Sequence, residues 1–127
     1  MRRGLCAEAD KIWALRYIRE AKAELSLARE LGTPETTRDI AAGAIMKAQL
    51  AVQHALGQSE HLDLVVAETT LGKIGYIEPP VRILFKMREA ATTLSEMEIP
   101  PRKLTTMETA GIIVKAAESI VRAMTAE

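Results

Sequence analysis

Apolar residues recur every three or four positions along most of the chain, the spacing that places them on one face of an α-helix. Glycine and proline interrupt this repeat at Gly32, at Gly57, over residues 72–78 and at Pro100–Pro101. Both residues end helices, glycine through its conformational freedom and proline through its missing N–H. The pattern therefore predicts five helical segments, at about residues 6–31, 34–56, 60–71, 80–97 and 105–125.

The long predicted helices carry stripes of small and apolar residues. The stripe of the first helix is Ala14, Ile18, Ala21, Leu25 and Ala28; that of the second is Ala41, Ala44, Ile45, Ala48, Val52 and Ala55; that of the last is Met107, Ala110, Val114, Ala117, Val121 and Met124. Alanine lets two helix axes approach closely, so we expect the Ala-rich second and last helices to form the central contact. The sequence thus predicts an all-α fold, an up-and-down helical bundle of four to five helices, in a single domain over residues 1–127.

Two helix starts have recognisable capping signals. Thr33 followed by Pro34 suits the N-cap and first turn of the second helix. The sequence Thr105-x-x-Glu108 matches a capping box and predicts the start of the last helix.

Composition narrows the class of protein. The 127 residues are 48% hydrophobic, and seventeen basic residues balance seventeen acidic ones, so no net field favours nucleic acid or an anionic membrane. With Cys6 as its single cysteine the chain has no internal disulfide, and we expect a cytoplasmic protein without a membrane span. The absence of asparagine and the excess of Arg over Lys are tendencies of thermophilic proteins.

Catalytic and metal-binding motifs are missing. Neither His54 nor His61 follows a Glu by three residues, and no phosphate-binding, dinucleotide-binding or nucleophile-elbow motif occurs. We therefore expect no catalytic residue, no metal site and no cofactor. His54 has no carboxylate at helical spacing, so we interpret it as a partly exposed histidine near a helix C-terminus rather than as a general base.

Two groups of residues are candidates for binding. Trp13 and Tyr17 share a face of the first helix at the flank of its stripe. This position fits a self-association patch and the edge of the core about equally well. Arg82 and Lys86 share a face of the fourth predicted helix, and Arg102 precedes the last helix. Together they are interpreted either as a solvated basic surface or as a site for a small anion or phosphate.

The order of the helices resembles that of HEPN domains. The similarity rests on the first helix from Tyr17 to Ala28, on the Ala-rich second helix from Ala41 to Leu56, and on the closing helix from Glu108 to Val121. The resemblance implies a helical bundle that dimerises. It also implies either a toxin of a toxin–antitoxin pair that cleaves RNA, or an inactive partner of a small nucleotidyltransferase.

Active HEPN domains carry an Arg followed, after four to six residues, by a His near the start of the last helix. Arg102 stands at about this place, but no histidine lies between Lys103 and Ala110. The leading hypothesis is therefore a non-catalytic, homodimeric interaction module that resembles an inactive HEPN domain. The alternatives are a metal-independent RNA-cleaving enzyme using Arg102 with His54, and a small nucleotide- or anion-binding protein.

Overall fold

The computed structural model describes residues 8–30, 32–56 and 79–126. These residues form four helices: α1 (Glu8–Glu30), α2 (Pro34–Ala55), α3 (Pro79–Ser95) and α4 (Lys103–Thr125). No strand occurs among the described residues, and the prediction of an all-α bundle is confirmed. The helix predicted at 60–71, together with Cys6 and His61, lies outside the described residues.

The start of α2 follows the sequence signal, whereas the start of α4 does not. The Thr33 hydroxyl accepts a hydrogen bond from the Thr36 N–H at 3.0 Å, and Pro34 is the first helical residue. The capping box predicted at Thr105 is wrong, because α4 begins at Lys103 with Arg102 at the N-cap and no side-chain hydrogen bond there. The Thr106 N–H already bonds the Arg102 carbonyl at 3.0 Å. Thr105 therefore has helical backbone and cannot serve as an N-cap.

Helix α2 occupies the centre of the bundle and packs against each of the other three helices. All residues of the stripes predicted for α2 and α1 are buried. In the stripe of α4 the four residues from Ala110 to Val121 are buried, whereas Met107 and Met124 at its ends are partly buried. Alanines with no exposed surface dominate these contacts: Ala14, Ala21, Ala28, Ala41, Ala44, Ala48, Ala51, Ala55, Ala110 and Ala117. Alanine stripes do form the tight core, but the expectation that the second and last helices make the central contact is wrong, because the most extensive helix–helix contact is between α1 and α2. The stripe of α1 also contains fully buried alanines, so α1 approaches α2 at least as closely.

Helix α3 is attached mainly through α2. Leu84, Phe85, Ala91 and Leu94 of α3 are buried in the core, but among the described helices α3 has an extensive contact only with α2. The turn that follows α3 is held by Arg38 of α2, whose guanidinium donates to the Met97 carbonyl at 2.7 Å. Since α4 also packs on α2 but hardly touches α3, a groove runs between α3 and α4.

Ion pairs connect α1 to its two neighbours at the surface. The Lys47 ammonium of α2 lies 2.6 Å from Glu24 and 3.1 Å from Glu20, and these hydrogen bonds raise the pKa of Lys47. Oε2 of Glu118 in α4 accepts hydrogen bonds from Arg122 Nη2 at 2.8 Å and from Lys22 Nζ of α1 at 3.0 Å. These two cations hold the pKa of the Glu118 carboxyl below its usual value.

Candidate functional site

The groove between α3 and α4 is the main concave surface of the described residues, and it has two parts. The lower part, here called the isoleucine groove, encloses about 280 Å³. Its walls are almost wholly apolar: Ile83, Met87, Ile112, Ile113, Ala116, Ala117 and Ile120, with Lys86 at its edge. Ile112 is 71% exposed although it lies beside this groove. A large apolar residue exposed beside an apolar groove is typical of an interaction surface.

The upper part, here called the threonine cavity, encloses about 510 Å³, within the usual size of small-molecule pockets. Its floor is apolar and includes Ile45 of α2 and Leu94 of α3. Four threonines line it: Thr93, Thr105, Thr106 and Thr109. Thr106 is only 2% exposed, and among the described residues its Oγ1 has no hydrogen-bond partner. A buried hydroxyl without a partner costs about 1–3 kcal/mol.

The three basic residues predicted to bind an anion are not gathered into one site. Lys86 lines both parts of the groove, whereas Arg82 and Arg102 are not among the described residues that line either part. Arg82 lies near the start of α3, and Arg102 follows the end of that helix at the N-cap of α4. The helical rise separates Arg82 from the far end of α3 by roughly 20 Å. Anion binding by these three residues stays a prediction. Of the three, only Lys86 lines the groove.

His54 is placed differently from the sequence interpretation. It is 7% exposed rather than partly exposed, and its Nδ1 lies 2.8 Å from the Asp10 carboxylate of α1. The interpretation was wrong because helical spacing shows only partners on the same helix, whereas the carboxylate partner of His54 is 44 residues away on the neighbouring helix. An Asp that orients a His is one element of general base catalysis, but the His54 ring is covered by aromatic rings.

Trp13 and Tyr17 form that cover. The Tyr17 ring centroid lies 5.7 Å from those of both Trp13 and His54, and the Trp13–His54 distance is 6.3 Å. Trp13 keeps 42% of its surface exposed, and the Arg16 guanidinium lies 5.1 Å from its ring centroid. The structure thus gives both rings a packing role around His54. Their role in self-association stays a prediction.

Comparison with family models, with curated proteins and with solved structures finds no match to this chain. The resemblance to HEPN domains therefore stays a prediction. Among the described residues no group of three or more His, Cys, Asp or Glu is arranged to hold a metal ion. None of the four helices is long and apolar enough to cross a bilayer.

Two features of the site were not predicted from the sequence. The Asp10–His54 contact depends on the rotation of α1 against α2, which a helical repeat does not specify. The groove depends on the angle between α3 and α4. Its residues were visible as surplus apolar positions outside the core stripes, at Ile83, Ile112, Ile113 and Ile120. Such a surplus is the signal from which a second, exposed apolar face could have been predicted.

Proposed function

We propose that this chain is a cytoplasmic, non-catalytic interaction module that works as a homodimer, resembling an inactive HEPN domain that partners a nucleotidyltransferase. The observation that carries the proposal is the apolar α3–α4 face, where Ile112 is 71% exposed and Ile83 is 37% exposed beside the isoleucine groove. Covering such a surface removes apolar area from water, which favours association by about 25 cal/mol per Å² buried.

The occupant proposed for this face is a second copy of the chain. Seventeen basic and seventeen acidic residues leave no net charge, so two copies approach without long-range repulsion. The described polar chemistry supports a module without catalysis, because the His54 ring is buried and stacks against the rings of Trp13 and Tyr17.

Two measurements on the full chain test the proposal. Light scattering across a range of concentrations should give the mass of a dimer that dissociates on dilution. Incubation with mixed RNA should leave the RNA intact. A strictly monomeric protein, or RNA cleavage that disappears in His54→Ala, would contradict the proposal and favour the RNA-cleaving alternative.

A second candidate function is the binding of a small ligand in the threonine cavity. Two observations favour it: the cavity has a largely apolar lining, and Lys86 is the one basic residue among the described residues that line it, which also include Glu89. An apolar molecule with one anionic group would place its apolar part on this lining and its charge beside Lys86. A thermal-shift comparison should show stabilisation by decanoate but not by decanol, and nucleotides tested beside them address the nucleotide alternative. Loss of the decanoate shift in Lys86→Gln would support the site, and an equal shift with decanol would contradict it.

A further inference from the structure

The outer face of α4 carries an exposed stripe that is complementary to itself. Its residues follow one another at intervals of three or four positions, so they share one face of the helix. They are Leu104, Glu108, Ile112, Lys115 and Ser119, with Gly111 at the edge of the stripe. We infer that two copies associate through this stripe with their α4 helices antiparallel, on a two-fold axis between Gly111 and Ile112. This inference rests on the proposed homodimer and names its interface.

Large and small residues match in this arrangement. Around such an axis Ile112 of one copy faces Gly111 of the other, and Leu104 faces Ser119. Ile112 and Leu104 are both 71% exposed, so each has surface to bury. Gly111 offers room, because a Cβ placed on it meets no atom within 4 Å. A large side chain over a glycine or serine is the arrangement that lets two helices pack closely.

Charges match in the same register. Glu108 of one copy faces Lys115 of the other, and the two-fold axis makes this pair occur twice. Within the described part of the chain neither residue forms an ion pair. The seven-residue separation places them roughly 10 Å apart along their own helix, so they do not pair with each other. The two charges are therefore available to a second copy.

Other pairings of this stripe fit less well. In a parallel two-fold dimer Glu108 would face Glu108 and Lys115 would face Lys115, which is repulsive. A slip of one helical turn in the antiparallel pair would move Lys115 away from Glu108 and Ile112 away from Gly111. The antiparallel register centred between Gly111 and Ile112 satisfies both the volumes and the charges, and it places Ile112, which also lines the isoleucine groove, inside the interface.

Charge reversal tests the register. The dimer dissociation constant of Glu108→Lys and of Lys115→Glu, measured at low ionic strength by analytical ultracentrifugation, should rise about tenfold, since each turns two attractive pairs into repulsive ones. The double variant should return to within about threefold of the unmodified chain, because it exchanges the charges and restores both pairs. Glu98→Lys is the matched control: it makes the same charge change on an exposed residue of the α3–α4 turn, outside the stripe.

The outcomes separate this inference from the proposed function. A dimer that both single variants weaken and the double variant restores supports the register. If the unmodified chain dimerises but the single variants behave like Glu98→Lys, the register is overturned while the homodimer stands. The same holds if Trp13→Ala alone dissociates the dimer. If the unmodified chain is a monomer, the proposed function itself fails. The side chains of Glu98, Glu108 and Lys115 are exposed, so circular dichroism should show an unchanged helix content in all of the charge variants.

Discussion

Gly43 offers a sharp test of how closely α1 and α2 approach. It lies inside α2, where glycine is less favourable than alanine by about 0.8–1.0 kcal/mol. A Cβ at this position would lie 3.3 Å from Glu24 Oε1, the far end of a flexible side chain, and would meet no backbone atom within that distance. Glu24 is also paired with Lys47 at 2.6 Å. Gly43→Ala should therefore gain helix propensity while displacing Glu24 by a few tenths of an ångström.

The expected change in the free energy of unfolding is the gain in helix propensity minus the cost of displacing Glu24. A displaced surface ion pair loses about 0.2–1 kcal/mol, so Gly43→Ala alone should stabilise the protein by about 0–0.8 kcal/mol. With Glu24 first replaced by Ala, the same substitution should recover its full gain of about 1 kcal/mol. For a chain of 127 residues the entropy of unfolding is about 0.27 kcal/mol per kelvin, so this gain raises Tm by about 4 °C.

Thermal unfolding followed by circular dichroism in a double-mutant cycle measures both values. The reasoning would be refuted if Gly43→Ala lowered Tm by several degrees in both backgrounds. That result would mean that the α1 backbone itself, rather than the end of Glu24, occupies the space beside Gly43.

Three further predictions concern packing and charge. Ala48→Leu adds bulk at a position with no exposed surface and should cost about 1–3 kcal/mol in chemical denaturation, whereas Leu at the exposed Ala123 should change stability by less than about 0.5 kcal/mol. The pKa of Glu118 is lower in the folded chain than in the unfolded chain. The ionised carboxylate therefore contributes to the free energy of unfolding at pH values above the ordinary pKa of 4.5, and this contribution is lost as the pH falls through the folded pKa. Glu118→Gln should therefore flatten the acid side of the stability–pH curve. Asp10→Ala removes the 2.8 Å contact to His54 Nδ1 and should cost about 1–3 kcal/mol in urea unfolding; no change in the midpoint would show that the contact contributes nothing.

The helices and their buried faces could be predicted from the sequence because both depend on local spacing. Ala14, Ile18 and Leu25 are buried as the repeat of α1 requires, and Thr33 caps α2 as its side chain allows. The start of α4 could not be predicted, because the Thr105-x-x-Glu108 signal lies one turn inside a helix that begins immediately after Arg102.

The candidate sites were less predictable, because they depend on how helices are placed against one another. The repeat that buries Leu84 says nothing about the distance between α3 and α4, which creates the groove. The contact between Asp10 and His54 joins residues on different helices, and its existence depends on the relative rotation of those helices. Lys86 was identified as a candidate cation from the sequence, but its apolar surroundings became visible only in the structure.

The unequal attachment of the helices has a consequence for the order in which the protein opens. Helix α2 is covered on three sides, so its amide hydrogens exchange only when the whole domain unfolds. Helix α3 rests mainly on α2 and is held at its end by the bond from Arg38 to the Met97 carbonyl. Among the described helices it is the one whose detachment breaks the fewest contacts, so we expect it to open as a cooperative unit before the rest. In native-state hydrogen exchange the amides of α3 should exchange together, at a lower opening free energy than those of α2.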